Sequence, residues 1–237
     1  MRRLIVVKTG TTLPGLRERR GDYEDWIVAG LGLPWERVQV VAVHEGVALP
    51  DPDGVSGAVV TGSPAMVSQR EPWSESAAGW LRDAAEAGTP LLGICYGHQL
   101  LAHGLGGRVG PNPQGREMGT VRAELRPTGQ VDPLLGSLPP VLRVQATHLE
   151  AVLELPPGAR LLGSSPADPH HVFAWGERAW GVQFHPEFDA DVMRAYLEAR
   201  RQVIRAEGID PEPLERGVAE SPHGTRLLRR FAELLRG

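Results

Sequence analysis

Apolar residues along this chain follow two rhythms. Short unbroken runs stand at Leu4–Val7, Val38–Val43, Ala58–Thr61 and Pro90–Ile94, rich in valine and isoleucine. Such runs predict strands buried on both faces. Between them the apolar positions recur every three or four residues. Tyr23, Trp26, Ile27 and Leu31 make one stripe, which predicts a helix over 22–31 with Asp22 as its N-cap. Ala77, Trp80, Leu81 and Ala84 make another, which predicts a helix over 74–87, begun by Ser74 and ended by Gly88. Strand–helix–strand alternation predicts an α/β fold, a mainly parallel sheet flanked by helices on both faces.

The pattern changes in the middle. Thr120–Leu125, Leu142–Gln145, Arg160–Leu162, Val172–Trp175 and Trp180–Phe184 are short β-like runs separated by Pro and Gly turns. They predict additional short strands with few helices. Two helices close the chain, at 189–206 and 224–236, the last with Leu227, Leu228, Phe231, Leu234 and Leu235 on one face. Residues 207–223, rich in Pro, Gly and Glu, are expected to form a loop. No internal repeat, low-complexity tract or linker interrupts the pattern, so 1–237 is expected to be a single domain.

Composition narrows the function. A chain of 237 residues with 41% hydrophobic and 23% charged positions can bury a sizeable core. A net charge of -4 gives no reason to expect nucleic acid or an anionic membrane as partner. The opening "MRRLIVVKTG" has too short an apolar run for a signal peptide, and no stretch approaches the roughly 18 apolar residues of a membrane span. The protein is expected to be soluble and cytoplasmic. Lys8 is the sole lysine and lacks the preceding glycines of a phosphate-binding loop, so no ATP cradle is expected. The histidines are scattered and no Cys-x-x-Cys exists, so neither a metal site nor a cofactor is expected.

The one cysteine, Cys95, stands in "LLGICYGHQLL". "PLLGI" is a predicted strand and "YGHQLLAHGL" a predicted helix, which places Cys95 on the turn between them. A lone free cysteine is more often a small buried hydrophobe. Here, however, Gly93 and Gly97 flank it as in the Gly-x-Ser-x-Gly nucleophile elbow, with sulfur in place of oxygen. So sharp a turn brings strand and helix close, with little room for a Cβ on either side. The helix N-terminus would favour thiolate and could bind a developing oxyanion.

A thiol nucleophile needs a base. In "WGVQFHPEF", His185 stands at the end of a predicted strand, and Pro186 biases it to an extended conformation. Residues i and i+2 of an extended chain point to the same side, so Glu187 can accept a ring N–H of His185. That is triad logic with cysteine as nucleophile. His98, one helical turn beyond Cys95, is the rival base, but it has no neighbouring carboxylate to orient it and suits helix packing better.

Three segments together, "GICYGHQLLA", "GVQFHPE" and "AVVTGSPAMV", resemble the class I glutamine amidotransferase family in order and spacing, over roughly residues 40–200. With "PNPQGREMGTV", the likeness is greatest to stand-alone proteins similar to the glutaminase domain of GMP synthase. The resemblance implies a flavodoxin-like fold and hydrolysis of a γ-amide. It implies Cys95 as nucleophile forming a γ-glutamyl thioester, His185 as base and Glu187 as its orienter. It also implies an oxyanion hole from the backbone N–H groups of Gly62 and Tyr96, a substrate contact at Gln99, and a closing loop at "ATHLE" with Thr147 and His148. One departure is Gly62-Ser63-Pro64, where many synthase-linked members carry Gly-Pro-Gly. The expected function is a glutaminase that supplies ammonia to a separate ATP-using synthetase subunit. A γ-glutamyl peptidase or hydrolase using the same triad, and a non-enzymatic interaction protein on the same fold, are the alternatives.

Overall fold

The computed structural model describes residues 2–235. The chain runs β1 (Leu4–Lys8), α1 (Pro14–Arg20), α2 (Tyr23–Leu31), β2 (Val38–Ala42), β3 (Gly57–Val60), α3 (Pro72–Glu86), β4 (Leu91–Ile94) and α4 (Tyr96–Gly104). There follow β5 (Arg108–Pro111), β6 (Glu117–Leu125), α5 (Pro127–Gln130), β7 (Val141–His148), β8 (Glu150–Glu154), β9 (Arg160–Ser164), β10 (Val172–Trp175) and β11 (Ala179–Val182). Three helices close it: α6 (Ala190–Ala206), α7 (Pro211–Arg216) and α8 (Pro222–Leu234).

Nine strands form one sheet in the order β2-β1-β3-β4-β11-β10-β9-β6-β7, and β5 pairs with β8 apart from it. The first five are mutually parallel. The remaining four run antiparallel to their neighbours. The fold is flavodoxin-like. Strands of its parallel half are buried on both faces: Leu4 and Val6 face the core beneath α2, α6 and α8, while Ile5 and Val7 face the one beneath α3 and α4. That two-sided burial is why these strands read as continuous apolar runs.

Local chemistry explains the helix limits. Asp22 caps α2 by accepting from Tyr23 N at 2.9 Å, and Asp25 returns the favour to Asp22 N at 2.7 Å. Helix α3 starts at Pro72, two residues before the expected start. Proline has no N–H to lose at the first helical position. Ser74 is therefore not a cap; its buried hydroxyl lies 2.6 Å from that of Tyr96. Part of the expected loop 207–223 is helical, because Asp210 accepts from Glu212 N at 3.0 Å and Pro211 opens α7. The strand expected over Trp180–Phe184 ends at Val182, and the expected helix end at residue 236 lies outside the described residues. Helix α1 and strands β5 and β8 were not predicted.

The sole lysine is structural. Lys8 Nζ, at the buried end of β1, lies 2.8 Å from Asp22 Oδ2 and 2.6 Å from Glu24 Oε1. Removing one partner of a buried ion pair strands the others in a low dielectric, at a cost of about 3–5 kcal/mol. Lys8→Met is therefore expected to lower unfolding stability by about 3 kcal/mol, measured by chemical denaturation. A loss below about 1 kcal/mol would show that the pair is not held as drawn.

Parallel strands of such a sheet present their carboxyl ends on one edge, where ligands bind in open α/β folds. Gly62 follows β3, Cys95 follows β4, and His185 follows β11. Three segments remote in sequence thus meet on that edge.

Candidate active site

Cys95 occupies the turn between β4 and α4 with φ +50° and ψ −100°, a positive φ otherwise adopted, among the described non-glycine residues, only by Arg70. Strand and helix approach so closely here that neither flanking position can carry a side chain. A Cβ on Gly97 would lie 2.6 Å from Val60 O, and one on Gly93 would overlap Gly97 O. The expected steric reason for the paired glycines is what the backbone shows. Cys95 N is tied to Val182 O at 2.9 Å, which fixes the turn to β11.

The thiol is buried except where it lines a cleft with Ser63–Met66, Tyr96, Gln99, Thr147, His148 and Glu150. Sγ lies 3.8 Å from Thr147 O. Burial pushes the thiol pKa up, but the charge of His185, a hydrogen bond with it and the charge of His148 outweigh that and lower it.

His185 is 3% exposed, and its Nδ1 lies 2.8 Å from Glu187 Oε1. The i, i+2 placement around Pro186 thus brings the two side chains together. Its backbone N–H bonds Gln145 O at 2.8 Å, which ties the segment to β7. Phe188 stacks on the imidazole with centroids 4.1 Å apart, and Tyr23 stacks from 6.3 Å. Burial pushes the ring pKa down, yet the negative charges of Glu187 and the Cys95 thiolate, with their hydrogen bonds, raise it to about 10. The two groups thus favour each other's charged forms, the thiol lowered by the imidazole and the imidazole raised by the thiol.

Gly62 abuts the same ring: a Cβ there would lie 2.7 Å from His185 Cε1. Neither the Gly62 N–H nor the Tyr96 N–H has a hydrogen-bond partner among the described residues. Two free donors beside a thiolate are what an oxyanion hole requires. The loop after β3 is held from below, because Thr9 Oγ1 lies 3.0 Å from both Thr61 O and Gly62 O. Ser63, at the departure from the family pattern, donates its hydroxyl to Thr9 O at 2.7 Å and accepts from Ala65 N at 3.1 Å.

The remaining expected site residues divide. Gln99 lines the cleft, but its Nε2 donates to Glu150 O at 2.7 Å and Gln183 Oε1 at 3.1 Å, so its amide donors are already engaged. Thr147 presents its carbonyl to the thiol. Both ring nitrogens of His148 are hydrogen-bonded to protein groups, which leaves the ring none for a substrate. His98 is fully buried against Phe173, outside the cleft lining, and burial holds its pKa well below the usual range. It is a core residue.

Three cleft residues were not singled out in the sequence, although Glu150 ends the "ATHLE" loop and Arg116 lies within "PNPQGREMGTV". Glu150 lines the wall and accepts from Ser68 N at 3.2 Å. Arg116 and Arg200 line it from the other side. Arg116 pairs with Glu207 at 2.7 Å, whereas Arg200 has no carboxylate partner among the described residues. Their sole sequence signal is positive charge, which is abundant on this surface. One trio, Glu117, His148 and His171, brings donor atoms within 4.8 Å of one another. In it the 2.9 Å contact between His148 Nε2 and Glu117 Oε2 is a hydrogen bond that a protonated ring satisfies. No helix among the described residues is long and apolar enough to cross a membrane.

Comparison with known proteins identifies the family and the fold. The family model described as glutamine amidotransferase class-I matches residues 27–202. A GMP synthase [glutamine-hydrolyzing] of Aeropyrum pernix is 39% identical over 142 residues, which cover 60% of this chain and 25% of that protein. The chain thus spans about a quarter of the length of the curated relatives it matches. A glutamine amidotransferase of Thermotoga maritima superposes with a TM-score of 0.77 at 22% identity, covering 99% of this chain and 98% of that one. A glutamine amido transferase of Methylobacillus flagellatus gives 0.75 at 22% identity, covering 100% and 93%. With that model matched over most of its length and this sheet beneath the site, the chain belongs to the class I glutamine amidotransferase family.

Proposed function

We propose that the protein hydrolyses the γ-amide of glutamine and passes the ammonia to a separate ATP-using synthetase subunit. The observation that carries this reading is the strained Cys95 facing His185–Glu187 with two unpartnered N–H groups, Gly62 and Tyr96, beside it. The Cys95 thiolate attacks the amide carbon, and the negative oxygen settles on the two N–H groups. His185 donates its proton to the departing ammonia, leaving a γ-glutamyl thioester. The now neutral His185 takes a proton from water, hydroxide adds to the thioester, and glutamate leaves as the thiolate returns. Glu187 holds the ring in place throughout. The carboxylate of Glu150 suits the α-ammonium of the substrate. In this reading the acceptor chemistry is done outside these residues, where Lys8 is engaged with Asp22 and Glu24.

The second reading is a γ-glutamyl hydrolase acting on a larger compound. Arg200, on the cleft and without a carboxylate partner among the described residues, favours it, because an acidic leaving group would give that charge a partner beyond the substrate's own α-carboxylate. A substrate panel separates the two. Purified protein is incubated with glutamine and with γ-glutamyl peptides, and ammonia and glutamate are assayed separately. Slow release of both from glutamine, with kcat below roughly 10 s⁻¹, the median for enzymes, is expected of an amidotransferase lacking its acceptor. Faster turnover of a γ-glutamyl peptide, with little glutamine hydrolysis, overturns it.

A further inference from the structure

Beyond the triad, a second histidine faces the thiol. His148, at the end of β7, is buried and lines the cleft beside Cys95. Glu117, its direct partner across the β6–β7 ladder, is buried as well. His148 Nε2 lies 2.9 Å from Glu117 Oε2, and His148 Nδ1 lies 2.9 Å from the backbone oxygen of Glu150. A carbonyl can only accept, so Nδ1 carries a proton.

The state of Nε2 follows from what lies behind Glu117. Ser165 Oγ accepts from Asp168 N at 3.0 Å, so its own proton is free to go to Glu117 Oε1, 2.6 Å away. Burial pushes the Glu117 carboxyl up, but the bond to His148, the nearby histidines and Ser165 hold it below the usual range. Glu117 is therefore an ionised acceptor on both oxygens, and Nε2 of His148 is also a donor. With an acceptor at each nitrogen, the ring is favoured as an imidazolium: against the effect of burial, Glu117 raises its pKa. The other charged or titratable groups facing it are Cys95, Asp168 and His171. The first two favour its charge. His171 is buried, its own pKa is lowered, and it stays neutral.

We propose that His148 and Glu117 form a second imidazolium–carboxylate pair, which holds negative charge on Cys95 without exchanging protons with the substrate. The sulfur then has two histidines in its neighbourhood, each hydrogen-bonded to a glutamate. On the mechanism proposed above, the two act at different moments. Once His185 has given its proton to the leaving group, it is neutral, and His148 is the remaining cation. When the thioester breaks, the sulfur departs as thiolate against that charge. His148 is thus an electrostatic partner of the nucleophile rather than a closing contact for the substrate.

The test reads the thiol directly and does not depend on turnover. Iodoacetamide alkylation of Cys95 is measured against pH in the wild type, in the isosteric Glu117→Gln and in His148→Gln. Removing one nearby opposite charge shifts a buried group by about 1–3 units. The alkylation midpoint is expected to rise by at least about one unit in both variants, with roughly tenfold slower alkylation on the acid side. An unchanged midpoint in the folded variants overturns the proposal. The wild type supplies an independent measurement should neither variant fold. Its labelled His148 ring nitrogens are expected to show an imidazolium by NMR at pH 7, and a neutral ring or stoichiometric zinc bound at the trio overturns the proposal. A shifted midpoint in a protein that hydrolyses no γ-amide would sink the proposed function and leave this pair standing.

Discussion

Cys95→Ala is expected to abolish turnover, a loss on the order of 10⁴-fold or more, while the protein stays folded. Two independent features concentrate the chemistry on this sulfur. The turn holds it at φ +50°, and the glycines on either side leave the room that so close a strand–helix approach needs. Such a conformation costs a non-glycine residue about 1–3 kcal/mol, which the surrounding sheet and helix sustain. The strain gives the second half of the prediction. Cys95→Gly should be as inactive as Cys95→Ala yet more stable than the wild type, by up to about 1 kcal/mol. The checks are ammonia and glutamate release, denaturation midpoints, and attachment of a glutamine-like affinity label at this one thiol. Activity retained in Cys95→Ala would remove the nucleophile from the proposed function. A Cys95→Gly variant that is markedly less stable would show that the side chain, not the strained turn, governs this segment.

How much of this was legible in the sequence depends on the range of the interaction. The elbow was, because Gly93, Cys95 and Gly97 define it within one turn. So was the contact of His185 with Glu187, because extended backbone sets it over two residues. The parallel half of the sheet could be read because strands buried on both faces carry no polar alternation. What depended on register could not. Glu117 and His148 meet because β6 and β7 pair in one particular way, and nothing in either segment names the other. Thr9 meets Thr61 for the same reason, across β1 and β3. Arg200 reaches the cleft only because α6 crosses over it, and on a helix wheel it looks like any solvated arginine. Helix α7 was hidden by its two prolines, which weigh against a helix by composition while one of them opens it by position. Gln99 and His148 were expected to touch a substrate, but a motif carries no information on whether a polar group is already satisfied.

His185→Ala is expected to cost nearly as much as Cys95→Ala, and the double variant little more than either. Residues that act as a unit lose their effect once. In this geometry the unit is explicit: the imidazole is buried, stacked on Phe188, joined to Glu187 at 2.8 Å, and raised in pKa, against burial, by Glu187 and Cys95. Glu187→Gln keeps a hydrogen-bonding group in place and should cost less. It should also change the pH profile in a definite direction. Activity rises as the Cys95 thiol ionises and falls as the imidazolium that protonates the leaving group is lost, near pH 10 in the wild type. Burial pulls the ring pKa down, and the charge of Glu187 is the first of the influences that raise it, so its removal moves the alkaline limb to lower pH, by about one unit or more. His98→Ala should leave the profile where it is and lose stability instead, because that ring fills the space beside Phe173. Steady-state rates across pH 6–11 for the five variants decide the assignment. An alkaline limb that stays near pH 10 in Glu187→Gln breaks the link between the two side chains, and a His98→Ala variant as inactive as His185→Ala moves the base to the other histidine.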